Sequence, residues 1–102
     1  MLFRSPLEGG IAGGNYGFMT DQLMQIGIAS MHARGFHGEG MVIGILDTGF
    51  NRVHSAFHST EHPLHVLAEW DFINNDGNTG IQAGDPGDQH NHGTWILGTL
   101  AA

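Results

Sequence analysis

Asp47 and His92 are the two residues of this 102-residue chain whose surroundings point most directly to chemistry. The apolar run Met41–Leu46 leads straight into Asp47, and a carboxylate at the end of a buried segment is costly unless a partner uses it. His92 lies in the segment 89–99, QHNHGTWILGT. A neutral imidazole held by a carboxylate can take a proton from a hydroxyl and return it later, which is the work of a general base.

The elements that must position these two residues can be read from the apolar pattern. Met41–Leu46 is predicted to be a strand buried on both faces, because it is a short continuous apolar run bounded by turn residues. Asp47 then lies at the carboxyl end of that strand, where α/β sheets collect functional groups. A second strand is predicted over 66–73, a loop over 74–91, and a helix from Thr94 through Leu100.

The first half of the chain adds one helix and an unassigned lead. Thr20 is the predicted N-cap of a helix that ends near Gly35. Residues 24, 28 and 31 form one apolar face of this helix. Residues 1–15 show no periodicity and are taken as an unassigned lead segment. The order helix, strand, strand, loop and helix predicts an α/β fold with a mostly parallel sheet.

Composition excludes several classes of function. The formal net charge is -7, with three Arg and no Lys, which argues against nucleic acids and anionic membranes as partners. No apolar run is long enough for a membrane span, and the start lacks the apolar core of a signal peptide. Without cysteine there are no disulfides and no thiolate metal sites.

Taken together, the two motifs resemble those of the subtilisin-like serine proteases, the subtilases. The family's aspartate motif is a strand ending in Asp-Thr/Ser-Gly, matched here by 47–49. Its histidine motif is His-Gly-Thr, about three residues, then Gly-Thr, matched by 92–94 and 98–99. The family's order, aspartate before histidine, is also present. The lead-in 25–42 and the segment 70–74 look like the family too, so that the resemblance covers residues 16–102.

The resemblance implies roles, fold and partners. Asp47 would be the orienting carboxylate and His92 the general base, Gly93 would allow backbone to pack beside the imidazole, and Thr94 would begin the helix. Residues 16–102 would be the amino-terminal part of a catalytic domain, a partial three-layer α/β fold truncated after the histidine helix. The full-length protein to which this segment would belong, the parent, would be a serine endopeptidase that acts on proteins or peptides. Its secretion is implied by the resemblance alone. The partner of this segment would be the remainder of its own catalytic domain. Its chemistry would need no cofactor, and structural calcium stays open for the parent.

The chain departs from the family at several positions. The nucleophile segment Gly-Thr-Ser-x-Ala does not occur in the 102 residues. The oxyanion-hole asparagine is expected to lie in the missing part of the catalytic domain as well. The chain alone is therefore expected to be inactive, as a piece of a longer subtilase or, alternatively, a non-catalytic relic of the fold. Trp95 and Leu97 replace the His and Ala that are usual in the histidine motif. In the segment that resembles the family's His-Pro-x-Leu, which begins at His54, Ser55 stands where the family has proline.

A second, less favoured alternative is a homodimeric aspartic protease. The segment 45–49, ILDTG, resembles the motif in which two aspartates share a proton across a dyad. A retroviral-type enzyme should also show a late hydrophobic-Gly-Arg-Asp/Asn element. The late segment here, 96–99, has neither the arginine nor the acid.

Metal sites are weighed and not predicted. The spacing of His54, His58 and His62 fits one helical face, but Pro63 argues against a helix through the set, which also includes His65. The acidic residues at 71, 76, 85 and 88 could supply oxygen ligands for calcium, yet they fail the EF-hand spacing. A solvated loop is the preferred interpretation of this segment, and His90 is likewise interpreted as a solvated loop residue.

Overall fold

The computed structural model describes residues 1–4, 16–60 and 63–101, and it shows a mixed α/β chain. Its first half contains β1 (Leu2–Arg4), a 3-10 helix (Gly17–Met19), α1 (Thr20–Gln25), α2 (Ile28–Ala33) and β2 (Val42–Gly44). Its second half contains a 3-10 helix (Ser55–Phe57), β3 (His65–Ala68) and α3 (Asn91–Ala101).

The three strands form one sheet in the order β2-β1-β3. Phe3 of β1 lies opposite Ile43 of β2 and Val66 of β3, and both pairings are antiparallel. The predicted α/β class is confirmed, whereas each pairing described is antiparallel rather than parallel. Because β2 and β3 are both antiparallel to β1, they run in the same direction, one strand apart.

The core is small and centres on aromatic side chains. Phe3 and Leu97 are fully buried, and Phe50 and Phe57 join them in the same cluster. Phe3 belongs to the segment that the sequence left unassigned, so this part of the prediction missed the central strand. A strand of three residues is too short to show a period of two.

The predicted strands are shorter and more open in the structure. Met41–Leu46 contributes only three residues to β2, and Leu46 is 86 % exposed. The expectation of burial on both faces is wrong for the described structure, because only the face of β2 that carries Ile43 is partly covered, while Val42 and Gly44 are exposed. The predicted second strand ends at Ala68, and Asp71 then pairs with Asp76 in a turn.

The predicted helix over 20–35 is interrupted. The backbone takes a left-handed conformation at Gly27 (φ 79°), which separates α1 from α2. Thr20 is the first helical residue and not the N-cap, since its hydroxyl donates back to the Gly17 carbonyl while Met19 precedes the helix. Met24 and Met31 of the predicted apolar face are exposed.

The last helix starts earlier than predicted. α3 begins at Asn91 rather than Thr94, which places His92 in its first turn. Leu97 faces the core, while Trp95 is 70 % exposed. Within the described ranges, no helix combines the length and apolar character needed to cross a membrane.

Candidate active site

Asp47 lies three residues after the end of β2, and its side chain is only 11 % exposed. Its Oδ1 accepts a hydrogen bond from the backbone N–H of Thr48 (2.7 Å) and lies 3.1 Å from the Thr48 hydroxyl, which donates to it. The residue that follows Asp47 therefore fixes one face of the carboxylate. The turn chemistry of Asp-Thr-Gly does this locally, before any distant residue is involved.

The structure brings His92 into direct contact with Asp47 across 45 positions of sequence. His92 Nδ1 lies 2.9 Å from Oδ2 and 3.0 Å from Oδ1 of the carboxylate. An ionised carboxylate only accepts hydrogen bonds, so Nδ1 must carry the proton. In neutral His92 the unprotonated nitrogen is then Nε2. The imidazole is 66 % exposed, which leaves it accessible to a reacting group.

The surroundings of Asp47 favour its ionised form. Burial acts to raise its pKa, but hydrogen bonds from the Thr48 backbone, from His92 and from the Thr48 hydroxyl act in the opposite direction, and the pKa of Asp47 is lowered overall. A carboxylate that accepts several hydrogen bonds is stabilised in its charged state. Asp47 is thus a permanent acceptor for His92 at neutral pH.

Gly93 makes the close approach of α3 to the Asp47 turn sterically feasible. It is buried, and a Cβ at this position would collide with the backbone carbonyl of Gly49. The same Cβ would lie 3.2 Å from both Cβ and Oδ1 of Asp47. The resemblance implied close backbone packing at Gly93, and the backbone that lies there belongs to the Asp47 turn.

Thr94 ties the helix to the chain beyond Asp47. Its Oγ1 accepts a hydrogen bond from the Asn51 N–H (2.8 Å) and donates one to the His90 carbonyl (2.6 Å). The Thr94 N–H also donates to that carbonyl. Thr94 lies inside α3 rather than at its start, so the predicted role of beginning the helix is wrong. Its side chain instead links α3 to the segment that follows Asp47.

A polar network that the sequence does not reveal also holds the segment after Asp47. Arg52 forms an ion pair with Glu69 (2.7 Å), and the Thr79 hydroxyl donates to Glu69 (2.6 Å). The carbonyl of Thr79 accepts from the Phe50 N–H (2.8 Å). The contacting residues are 10 to 29 positions apart, and their spacing matches no sequence motif. Tertiary structure alone brings them together.

His90 is held differently from His92. Its Nδ1 is buried and has no hydrogen-bond partner in the described part of the chain. His90 lies in the turn before α3, as expected of a loop residue, but it is half-buried and therefore less solvated than expected. Its Cβ would lie 3.2 Å from a Cβ at Gly49, so that His90 packs against the Asp47 turn without sharing the carboxylate.

Several of the histidines and acids considered as metal ligands make local hydrogen bonds instead. His54 Nδ1 accepts from the Ala56 N–H, and His62 lies outside the described residues. Asp71 accepts from the N–H groups of Ile73 and Asn74, and the bond from Asn74 leads the contributions that lower its pKa. Among the residues described, no three His, Asp or Glu side chains form a group able to hold a metal ion.

A largely apolar cavity of about 740 Å³ is lined in part by Asp47 and His90. His92 is not among its lining residues. Trp70, Phe72 and Ile73, all exposed, contribute to its wall together with Leu46. The cavity therefore borders the Asp47 turn, and its described lining does not include His92.

No protein-family profile, no curated protein and no solved structure matches this chain.

Proposed function

We propose that this chain carries the aspartate and the histidine of a serine-type endopeptidase of the subtilisin-like family. The observation that supports the proposal most is the contact of His92 Nδ1 with both oxygens of Asp47. This contact between the two motifs that carry the resemblance supports the proposal, because triad chemistry needs a carboxylate hydrogen-bonded to one ring nitrogen of the histidine. The finer fold, a mostly parallel subtilisin-like sheet, belongs to the same proposal and is supported by the common direction of β2 and β3.

The chemistry follows from the protonation state of His92. Nε2 takes the proton of a serine hydroxyl as its oxygen attacks the peptide carbonyl, and the imidazolium that forms is stabilised by Asp47. The same proton then passes from Nε2 to the leaving amine. Asp47 stays ionised throughout and holds the ring in the tautomer that keeps Nε2 free.

The serine is proposed to come from a further segment of the same polypeptide, the remainder of the catalytic domain. These 102 residues contain no Gly-Thr-Ser-x-Ala segment. The apolar cavity beside Asp47, with its exposed aromatic wall, supports the idea that more polypeptide covers this side of the sheet. Substrates are proposed to be proteins or peptides and the site of action outside the cell, both by family resemblance.

The aspartic-protease alternative has less support. An aspartic dyad needs a carboxylate free to share a proton with a second one. Both oxygens of Asp47 lie within hydrogen-bonding distance of His92 Nδ1, and Thr48 occupies Oδ1 as well. The carboxylate is thus already committed to a base.

The first test is the coding sequence that follows Ala102. A Gly-Thr-Ser-x-Ala motif there supports the protease, and a stop codon directly after Ala102 favours the non-catalytic relic. If the serine is present, the longer protein should hydrolyse casein and lose activity on treatment with a serine-directed phosphonylating reagent.

The decisive variants are His92→Ala and its matched control His90→Ala. Loss of the general base should lower kcat by a factor of the order of 10⁶ with little change in KM. His90→Ala keeps the backbone carbonyl that Thr94 uses and should retain most activity. Equal losses in the two variants would contradict the assignment. Acid-optimal hydrolysis by the 102-residue chain that disappears in Asp47→Ala would support the aspartic dyad instead.

A further inference from the structure

The central strand of the sheet comes from a part of the chain remote from its two partners. Arg4, the last residue of β1, lies 38 positions before Val42 and 61 before His65, the residues it faces. β2 and β3 are bonded only through β1. The sheet therefore consists of two parallel edge strands and one inserted strand between them.

β1 is anchored mainly by one side chain. Phe3 is fully buried in the cluster with Phe50, Phe57 and Leu97, whereas Leu2 and Arg4 are exposed. The backbone of β1 lies close to β2 and β3, and Phe3 is its one side chain that reaches Leu97 of α3 and Phe57 of the 3-10 helix. Its pairing with β3 is also irregular, because the register shifts between Leu2 and Phe3. Exchange of β1 would therefore break the pairing with the two strands and the packing of one side chain, Phe3, in the core cluster.

We propose that the slot between β2 and β3 accepts β1 from a second copy of this chain, which gives a dimer by strand exchange. Each slot in such a dimer holds the same three residues in the same register, with Phe3 in the same pocket, so that no new complementary surface is needed. Strand addition of this kind relies on main-chain hydrogen bonds for affinity and on side-chain pockets for specificity. The inference is independent of the proposed protease function.

The protein concentration during refolding decides between the monomer, in which β1 fills its own slot, and the exchanged dimer. In the monomer β1 competes for its own slot at an effective concentration in the millimolar range that is typical of short tethers. Exchange therefore needs refolding at a comparable protein concentration, where strands from two chains meet each slot equally often. Dilute refolding should give monomer, and concentrated refolding should give exchanged dimer.

Cysteine trapping can detect the exchange, because the chain has no cysteine of its own. Leu2 and Gly44 are directly opposite residues of β1 and β2. Opposite residues of antiparallel strands are within reach of a disulfide. Leu2→Cys and Gly44→Cys are introduced into separate chains, mixed, unfolded, refolded together and oxidised. The control mixture pairs Leu2→Cys with Ser30→Cys, an exposed position on α2.

Strand exchange predicts several-fold more disulfide-linked heterodimer from the Leu2→Cys and Gly44→Cys mixture than from the control, with a yield that rises with refolding concentration. Equal yields from the two mixtures overturn the proposal. The double variant Leu2→Cys/Gly44→Cys checks the slot itself. A mixture of intramolecular and intermolecular bonds that shifts to intermolecular at high concentration supports exchange. Purely intramolecular bonds at every concentration, or no bond at all, overturn it.

Discussion

The imidazole Nδ1 of His92 lies 2.9 Å from Oδ2 and 3.0 Å from Oδ1 of Asp47, a contact that joins the first turn of α3 to the turn after β2. Both distances are those of a charge-assisted hydrogen bond. The contact fixes which ring nitrogen holds the proton. It also makes the tautomer of His92 a measurable property of the chain.

Replacing Asp47 by Asn should change that tautomer. An amide can donate to Nδ1 and so stabilise the form with the proton on Nε2, the wrong form for a base. Nitrogen-15 NMR of the imidazole should show protonated Nδ1 in the wild type at neutral pH and a shift toward protonated Nε2 in Asp47→Asn. In an active longer protein the same change should cost about 10⁴ in kcat. An unchanged tautomer in Asp47→Asn would mean that the carboxylate does not control His92.

Gly93→Ala should separate α3 from the Asp47 turn. The added Cβ would meet the Gly49 carbonyl, and relief requires a backbone shift that costs about 1–3 kcal/mol. Gly98→Ala is the matched control on the same helix, because a Cβ there has open space. It should stabilise the helix by about 0.5–1 kcal/mol. Denaturant unfolding gives the two free energies, and equal effects of the two alanines would contradict the close packing at Gly93.

Thr94→Val should remove the hydrogen bond that links α3 to the segment after Asp47. Valine keeps the shape but leaves the Asn51 N–H without the acceptor it has now, at a cost of about 1–3 kcal/mol. Thr99→Val is the control, since the exposed Thr99 hydroxyl donates only to a carbonyl of its own helix. Its effect should stay within about 0.5 kcal/mol. Amide hydrogen exchange should show lost protection at Asn51 in Thr94→Val alone, and retained protection there would rule the link out.

The lowered pKa of Asp47 predicts a dependence of stability on acid. Its native pKa lies below the unfolded value of about 3.9, so its contribution to stability is complete above that pH. The contribution disappears as the pH falls through the lower native pKa. The free energy of unfolding should therefore fall less steeply with acid in Asp47→Asn than in the wild type over that range. Parallel curves for the two proteins would show that Asp47 gains nothing from its hydrogen bonds.

The sequence by itself predicted Asp47 and His92 as a candidate pair, because each lies in a short motif of consecutive residues. It also predicted the α/β class and a strand within the apolar run that leads to Asp47. It placed α3 three residues late and joined α1 to α2, since the ends of helices depend on single turns and caps.

Tertiary structure alone decided how the sheet is built. β1 carries no periodic signal in the sequence. It fits between β2 and β3 and pairs with both through main-chain hydrogen bonds, which places Phe3 in the core. The antiparallel direction follows from that insertion. The network of Arg52, Glu69 and Thr79 is equally invisible in the sequence. Such contacts join distant residues through the path of the backbone, and no local pattern encodes that path.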